Sequence, residues 1–270
     1  MRVTILGSGS AGNCTLVETK TTRVLIDAGL SAKQVRLRMK AMGRDVGKID
    51  GVVITHAHGD HSAHAQSYAQ AFCTNVYMTE STRRNVRFHA EAALRVYGAN
   101  SAFEVGDLAI EPHAVPHDAP QVALRMRDEH CCVGLATDLG EVEASLVDHL
   151  KACDVLMIES NYDDDMLTRG PYPEHIQRRV RGRLGHLDNL HTAELLRELT
   201  ARTHTVVLMH LSKKNNTEEV ARAVAQDALS TKDIDLYLAQ QDSPMSVPLS
   251  RTLTLNYGLD ASERNSTCSI

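Results

Sequence analysis

The chain has no tryptophan, only three phenylalanines and seven tyrosines in 270 residues. Rings this scarce disfavour nucleic-acid binding by base stacking on an aromatic platform. No run approaches the ~20 apolar residues of a membrane span. The opening Met1-Arg2-Val3-Thr4-Ile5-Leu6-Gly7 has too few apolar residues for a secretory leader and reads as a first strand. None of the six cysteines (14, 73, 131, 132, 153 and 268) forms a Cys-x-x-Cys pair. Most lie in apolar segments, where a thiol packs as a small hydrophobe, which speaks against a disulfide framework or a thiolate zinc site. A reduced, cytoplasmic setting with no membrane association is the resulting expectation. Excess positive charge is missing too. The net charge of -5 excludes a generally basic nucleic-acid coat while leaving room for a local basic patch.

What remains is ordinary for a folded domain, with 43% hydrophobic and 23% charged residues. The length suits one large domain, placed at 1–258, with a polar, frayed tail at 259–270. Strands are expected at 2–6, 14–18, 24–29, 52–54 and 75–78, with helices over 31–42, 62–70 and 80–97. Short strands follow at 109–110, 114–115, 122–126 and 131–136. An α/β pattern then places strands at 154–159, 206–209, 234–239 and 251–255, and helices at 192–202 and 217–229.

The most informative segment is Thr55-His56-Ala57-His58-Gly59-Asp60-His61, directly after the β-branched run Val52-Val53-Ile54. Imidazole suits borderline divalent ions and carboxylate suits harder ones, so the mixture fits zinc, manganese or iron. In extended chain His56 and His58 share a face, whereas Asp60 and His61 must turn elsewhere. The pattern therefore implies a strand end, a tight loop at Gly59 and two adjacent metal positions. Three remote residues at the ends of apolar strands complete a ligand set: His117 after Val115-Pro116, Asp138 after Ala136-Thr137, and His210 after Leu208-Met209. One ion would take His56, His58 and His117, and the other Asp60, His61 and His210. Asp138, with two oxygens, would bridge them.

With these residues in place the chain resembles a metallo-β-lactamase-fold hydrolase, whose mark is His-x-His-x-Asp-His followed by His, Asp and His. The resemblance spans residues 1 to about 255 and implies an α/β (α+β) four-layer αβ/βα sandwich with a two-metal site at one edge. Narrower motifs are similar to the bacterial YycJ/WalJ/VicX group: Ser8-Gly9-Ser10-Ala11-Gly12-Asn13-Cys14, Leu25-Ile26-Asp27-Ala28-Gly29, Glu159-Ser160-Asn161-Tyr162-Asp163, Gly185-His186-Leu187 and His210-Leu211-Ser212-Lys213-Lys214-Asn215-Asn216. That group is associated with 5′-to-3′ exonuclease action on double-stranded DNA, so duplex DNA ends are the implied partner. The interval from Asp138 to His186 is too short for the inserted β-CASP domain of RNA-processing relatives.

The resemblance implies two divalent ions, zinc or manganese with iron as a further option, and attack by a water ionised between them. Asp60 would also orient that water. His186 is the candidate proton donor to the leaving oxygen, or else a helix-capping residue after Gly185. Ser10 and Asn13, in the glycine-rich loop, belong either to a phosphate cradle or to a plain hairpin connection. Ser212, Lys213 and Asn215 stand beside a ligand, a sensible place for backbone contacts to DNA. Arg178, Arg179 and Arg181 form the densest basic run, either tracking a phosphate strand or forming a solvated helix face. Asp27 and Glu159 read as residues that orient ligands from behind. Hydrolysis of a small ester (a cyclic phosphodiester, lactone or thioester) or RNA processing remains the alternative, and a binding protein on an enzyme scaffold is a third.

Overall fold

The computed structural model describes residues 1–249. Its strands form two seven-stranded sheets. The first holds β1 (Arg2–Gly7), β2 (Cys14–Glu18), β3 (Arg23–Ile26), β4 (Gly51–Val53), β5 (Asn75–Thr79) and β6 (Leu94–Tyr97) in that spatial order. The second holds β7 (Phe103–Val105), β8 (Leu108–Val115), β9 (Gln121–Arg127), β10 (Cys132–Ala136), β11 (Val155–Glu159), β12 (Thr205–Met209) and β13 (Asp235–Leu238). The chain then returns to the first sheet, where β14 (Met245–Val247) pairs antiparallel with β1.

Each sheet has the same plan. The early strands are antiparallel up to β3 in one sheet and β10 in the other, and the later strands run parallel. The parallel connections carry helices: α1 (Ala32–Ala41), α2 (Gly59–Ser62), α3 (Ala65–Phe72) and α4 (Glu80–Asn85) in the first half. The second half has α5 (Ala144–Leu150), α6 (Asp164–Arg169), α7 (Glu174–Arg181), α8 (Asn189–Arg197) and α9 (Glu218–Ala228).

The apolar runs of the sequence are buried on both faces, and the two-residue period of the strand sorts them. Val24 and Ile26 join Val155, Met157 and Val207 between the sheets. Leu25 faces outward to Val35 and Met39 of α1 and Tyr68 of α3. Leu156 and Ile158 turn to Leu146 and Leu150 of α5 and to Ala193 and Leu196 of α8. The result is the four-layer helix–sheet–sheet–helix sandwich of the metallo-β-lactamase fold, with no inserted domain between Asp138 and His186. Among the described residues no helix is long and apolar enough to cross a membrane.

Several expected elements differ. The helix over 80–97 stops at Asn85, and Leu94–Tyr97 is strand β6 instead. The aromatic and β-branched residues there pair with β5, and the buried Tyr97 donates its hydroxyl to Ile54 O at 2.8 Å. The helix at 62–70 is split into α2 and α3, because the His64 N–H is drawn off to Ala28 O. Residues 109–110 and 114–115 belong to one strand running through Pro112, at a point past the end of its pairing with β7. The helix at 192–202 begins earlier, capped by Asp188, and ends at Arg197. The strand at 251–255 and the tail at 259–270 lie outside the described residues.

Candidate metal centre

The site is built at one edge of both sheets, where the strands stop in sharp corners. Asp27 follows β3, Asp138 follows β10 and His210 follows β12, with φ of 64°, 58° and 56°. Left-handed backbone is uncommon outside glycine, although Asp and His are among the residues that tolerate it. Such residues cost of order 1–3 kcal/mol each and persist where the surroundings hold them. Gly29 allows the close approach beneath them, since a Cβ there would stand 1.8 Å from Asp60 O.

Seven side chains that the sequence singles out as ligand candidates converge there in two adjoining groups. His56, His58 and His117 form the first, with His56 Nε2 and His117 Nε2 lying 3.1 and 3.2 Å from His58 Nδ1. Asp60, His61, Asp138 and His210 form the second. His61 Nε2 stands 3.0 Å from Asp138 Oδ2 and 3.6 Å from Asp60 Oδ2, and His210 Nε2 stands 3.5 Å from Asp60 Oδ2. In each group the potential ligand atoms lie within 4.8 Å of one another.

The remaining imidazole nitrogens are engaged on the outer side. His61 Nδ1 donates to Asp27 Oδ2 at 2.7 Å, and Asp27 Oδ1 accepts the Thr55 N–H at 2.8 Å. His117 Nδ1 donates to Gly185 O at 3.1 Å. His210 Nδ1 donates to Glu159 Oε1 at 3.1 Å, His186 Nδ1 donates to the same oxygen at 2.8 Å, and Glu159 Oε2 accepts the Leu139 N–H. These bonds leave Nε2 of His61, His117 and His210 turned inward, where His56 Nε2 and His58 Nδ1 also face each other at 3.1 Å.

The donor set suits divalent cations. Buried Asp138 Oδ2 and His210 Nε2 have no well-formed hydrogen bond, an arrangement costly for polar atoms that lack a partner. Charge tells the same story. Burial works against ionisation of Asp138, yet His210 and His61 outweigh it and hold the carboxyl well below its usual range. Burial also disfavours charge on His210, but Asp138, Asp60 and Glu159 push it up to about 10. Burial, with the neighbouring His61, pulls His56 well down. Carboxylates thus attract positive charge to the second group, while burial biases His56 and His117 of the first toward neutral imidazole.

An open cavity of about 320 Å³ lies over the centre. Its lining includes Ser10, His58, Asp60, His117, Asp138, His186 and His210, and the wall formed by α7 contributes Ile176, Arg179, Val180 and, just beyond, Leu184. Of the substrate-contact candidates, Ser10 and Arg179 reach this space. Arg181 is tied to Asp164 and Thr168, and exposed Arg178 lies only 3.6 Å from Glu174. Lys213, exposed, pairs with Asp242 at 2.9 Å.

Two amides are placed otherwise than expected. Asn13 is buried and spends its side chain on Gly9, Asp60 and His61, so it braces the loop from beneath. Asn215 is buried outside the cavity, under Gly170. The glycine-rich loop is likewise no open phosphate cradle. Its Ser8, Gly9, Ala11, Gly12 and Asn13 N–H groups bond to Gln240, Asn13, Gln241, Gly9 and Asp60 within the protein. Sequence reasoning missed Asp118, which is 3.0 Å from His58 Nε2. Its place in the group-like motif His117-Asp118-Ala119 was the signal available.

A sequence family described as a beta-lactamase superfamily domain matches residues 22–211. Exodeoxyribonuclease WalJ of Streptococcus pneumoniae serotype 2 is 32% identical over 242 residues, covering 86% of this chain and 90% of its own. Exodeoxyribonuclease YycJ of Bacillus anthracis is 30% identical over 239 residues, with 86% and 90% covered. Among solved structures, the metallo-beta-lactamase fold protein YhfI from Bacillus subtilis superposes with a TM-score of 0.70 at 17% identity, covering 91% of this chain and 98% of YhfI.

Proposed function

Because the chain belongs to the beta-lactamase superfamily and is a metal-dependent hydrolase, we propose that it is a two-metal nuclease removing nucleotides from the 5′ ends of duplex DNA. The observation that carries this reading is the pair of adjoining ligand groups on the floor of one open cavity. The 32% identity to an exodeoxyribonuclease over most of the chain supports DNA as substrate. Zinc or manganese fits the mixed imidazole and carboxylate set. A cytoplasmic location agrees with the free thiols among the described residues.

In this reading His56, His58 and His117 would hold one ion and Asp60, His61 and His210 the other, with Asp138 as a shared ligand candidate. Divalent ions bound there supply a nucleophile ionised near neutral pH and offset the charge of a phosphate. The protein's own residues do the rest. Asp60, partly exposed at the cavity floor, orients the attacking water. His186 has Nδ1 committed to Glu159, which leaves Nε2 to hold a proton for the leaving oxygen. Burial disfavours the imidazolium, but Glu159 and Asp138 overcome it and raise the His186 pKa, keeping that proton in place. Ser10 offers a hydroxyl at the rim, and Arg179 a positive charge for the sugar–phosphate backbone. Ile176, Val180 and Leu184 shed water from the same wall.

The test is hydrolysis of end-labelled linear duplexes, with and without 5′-phosphate, in zinc, manganese or magnesium, beside a cyclic phosphodiester. Release of labelled mononucleotides from the duplex is the expected result. Turnover of the cyclic compound with intact DNA would overturn the assignment in favour of a small-ester hydrolase.

A further inference from the structure

Asp118 sits between the metal centre and the basic helix α7, and its two oxygens face different partners. Oδ1 lies 3.0 Å from His58 Nε2, the ring nitrogen other than the Nδ1 that faces His56 and His117, and 3.5 Å from His117 Nε2. Oδ2 accepts from Arg179 through Nε at 3.0 Å and Nη2 at 2.5 Å, a two-point grip on one oxygen. The Asp118 N–H is itself fixed, donating to Leu184 O at 3.1 Å. Among the described residues the Arg179 guanidinium has no other partner, so Nη1 keeps its donors for a ligand. Both side chains line the cavity.

We propose that Asp118 is a positioning residue that fixes the inward-facing nitrogen of His58 and the guanidinium of Arg179 as one unit. The Arg179 part rests on the nuclease reading above: the held guanidinium receives a phosphate of the DNA strand next to the one being cleaved. An exposed arginine loses side-chain entropy whenever it binds an anion, and a carboxylate that holds it beforehand reduces that loss. A carboxylate on the outer nitrogen of a metal-binding imidazole fixes its orientation and raises its basicity. Asp118 does both at once, so the grip on the strand and the grip on the ion share a single anchor.

The experiment uses the full chain with Asp118→Ala, Asp118→Asn, Arg179→Ala and the Asp118→Ala/Arg179→Ala double variant. Zinc affinity is measured by competition with a chromogenic chelator, and KM on a 5′-phosphorylated duplex. Asp118→Ala is expected to weaken zinc binding by roughly 10–100-fold. Asp118→Asn should hold zinc nearly as the parent does, because its amide oxygen still accepts from His58, and it also guards against a folding defect in the alanine variant. Arg179→Ala should leave zinc affinity alone. All three single variants should raise KM several-fold, and the double variant should raise it no further than Asp118→Ala does. Parental zinc affinity in Asp118→Ala, or multiplying KM effects in the double variant, would overturn the proposal. If the parent leaves DNA intact, the nuclease reading fails, and the zinc arm still decides whether Asp118 serves His58.

Discussion

Asp27 and Asp138 occupy matching corners of the two sheets and hold opposite nitrogens of His61. Asp27 Oδ2 lies 2.7 Å from Nδ1 and Asp138 Oδ2 lies 3.0 Å from Nε2. Each follows the strand at which its sheet changes from antiparallel to parallel pairing, and each has left-handed backbone. One carboxylate therefore orients the imidazole from behind while the other shares its front.

Asp27→Asn tests the rear contact. One oxygen becomes an NH2 group, so either the Thr55 amide or His61 loses its acceptor, while the backbone corner remains tolerable. Metal affinity is expected to fall by roughly 10–100-fold with the secondary structure retained. Equilibrium dialysis with elemental analysis checks this, and a parental affinity would show that Asp27 serves only the Thr55 loop.

Asp138→Asn and His58→Ala each remove one ligand candidate. Each should lower the bound-metal stoichiometry from about two ions per chain and reduce hydrolysis to background, with circular dichroism unchanged. Parental turnover in either variant would refute the ligand assignment.

His186→Ala removes a proton donor whose Nδ1 is held by Glu159 at 2.8 Å and stands 3.7 Å from Asp138 of the second group. Turnover is expected to drop by about 10²–10⁴-fold with metal content preserved. A leaving group of low pKa should restore most of the rate, since it needs no proton. Equal losses on good and poor leaving groups would make the residue structural.

A pH effect is expected far from the centre. His149 is partly buried, with Nε2 3.1 Å from Glu111 O and its ring stacked on His113 at 5.0 Å. Burial, helped by Arg125 and His113, depresses its pKa to about 4. An unfolded histidine titrates near ~6.5, so protons bind the unfolded chain more readily. The stability from neutral His149 is present above pH ~6.5 and declines as pH falls toward about 4. His149→Gln should flatten the fall in Tm across that window, which differential scanning calorimetry would detect. A Tm profile of unaltered slope would exclude His149 as the sensor.

The sequence reveals the ligand candidates because metal chemistry is written in residue types that strand ends present together. His56, His58, Asp60 and His61 are local, and His117, Asp138 and His210 each follow an unmistakable apolar strand. Side chains whose role depends on tertiary placement are less legible. Asn13 and Asn215 read as substrate contacts because they neighbour site residues, yet burial commits the first to its own loop and keeps the second out of the cavity. Asp118 shows the reverse case, since nothing local reveals that α7 folds over to meet it. The 80–97 segment was misread because helix-forming Glu80 to Asn85 is followed by a strand that only pairing with β5 stabilises.

His56, His58, Asp60 and His61 come from the margin of one sheet, and His117, Asp138 and His210 from that of the other. Any ion seated among them would rivet the two halves together, and pulling the sandwich apart would mean releasing it. Resistance to heat should then follow free metal concentration, gaining about 2.7 kcal/mol when the ion is present at a hundred times its Kd. A chelator would act on this protein as a mild denaturant as well as an inhibitor.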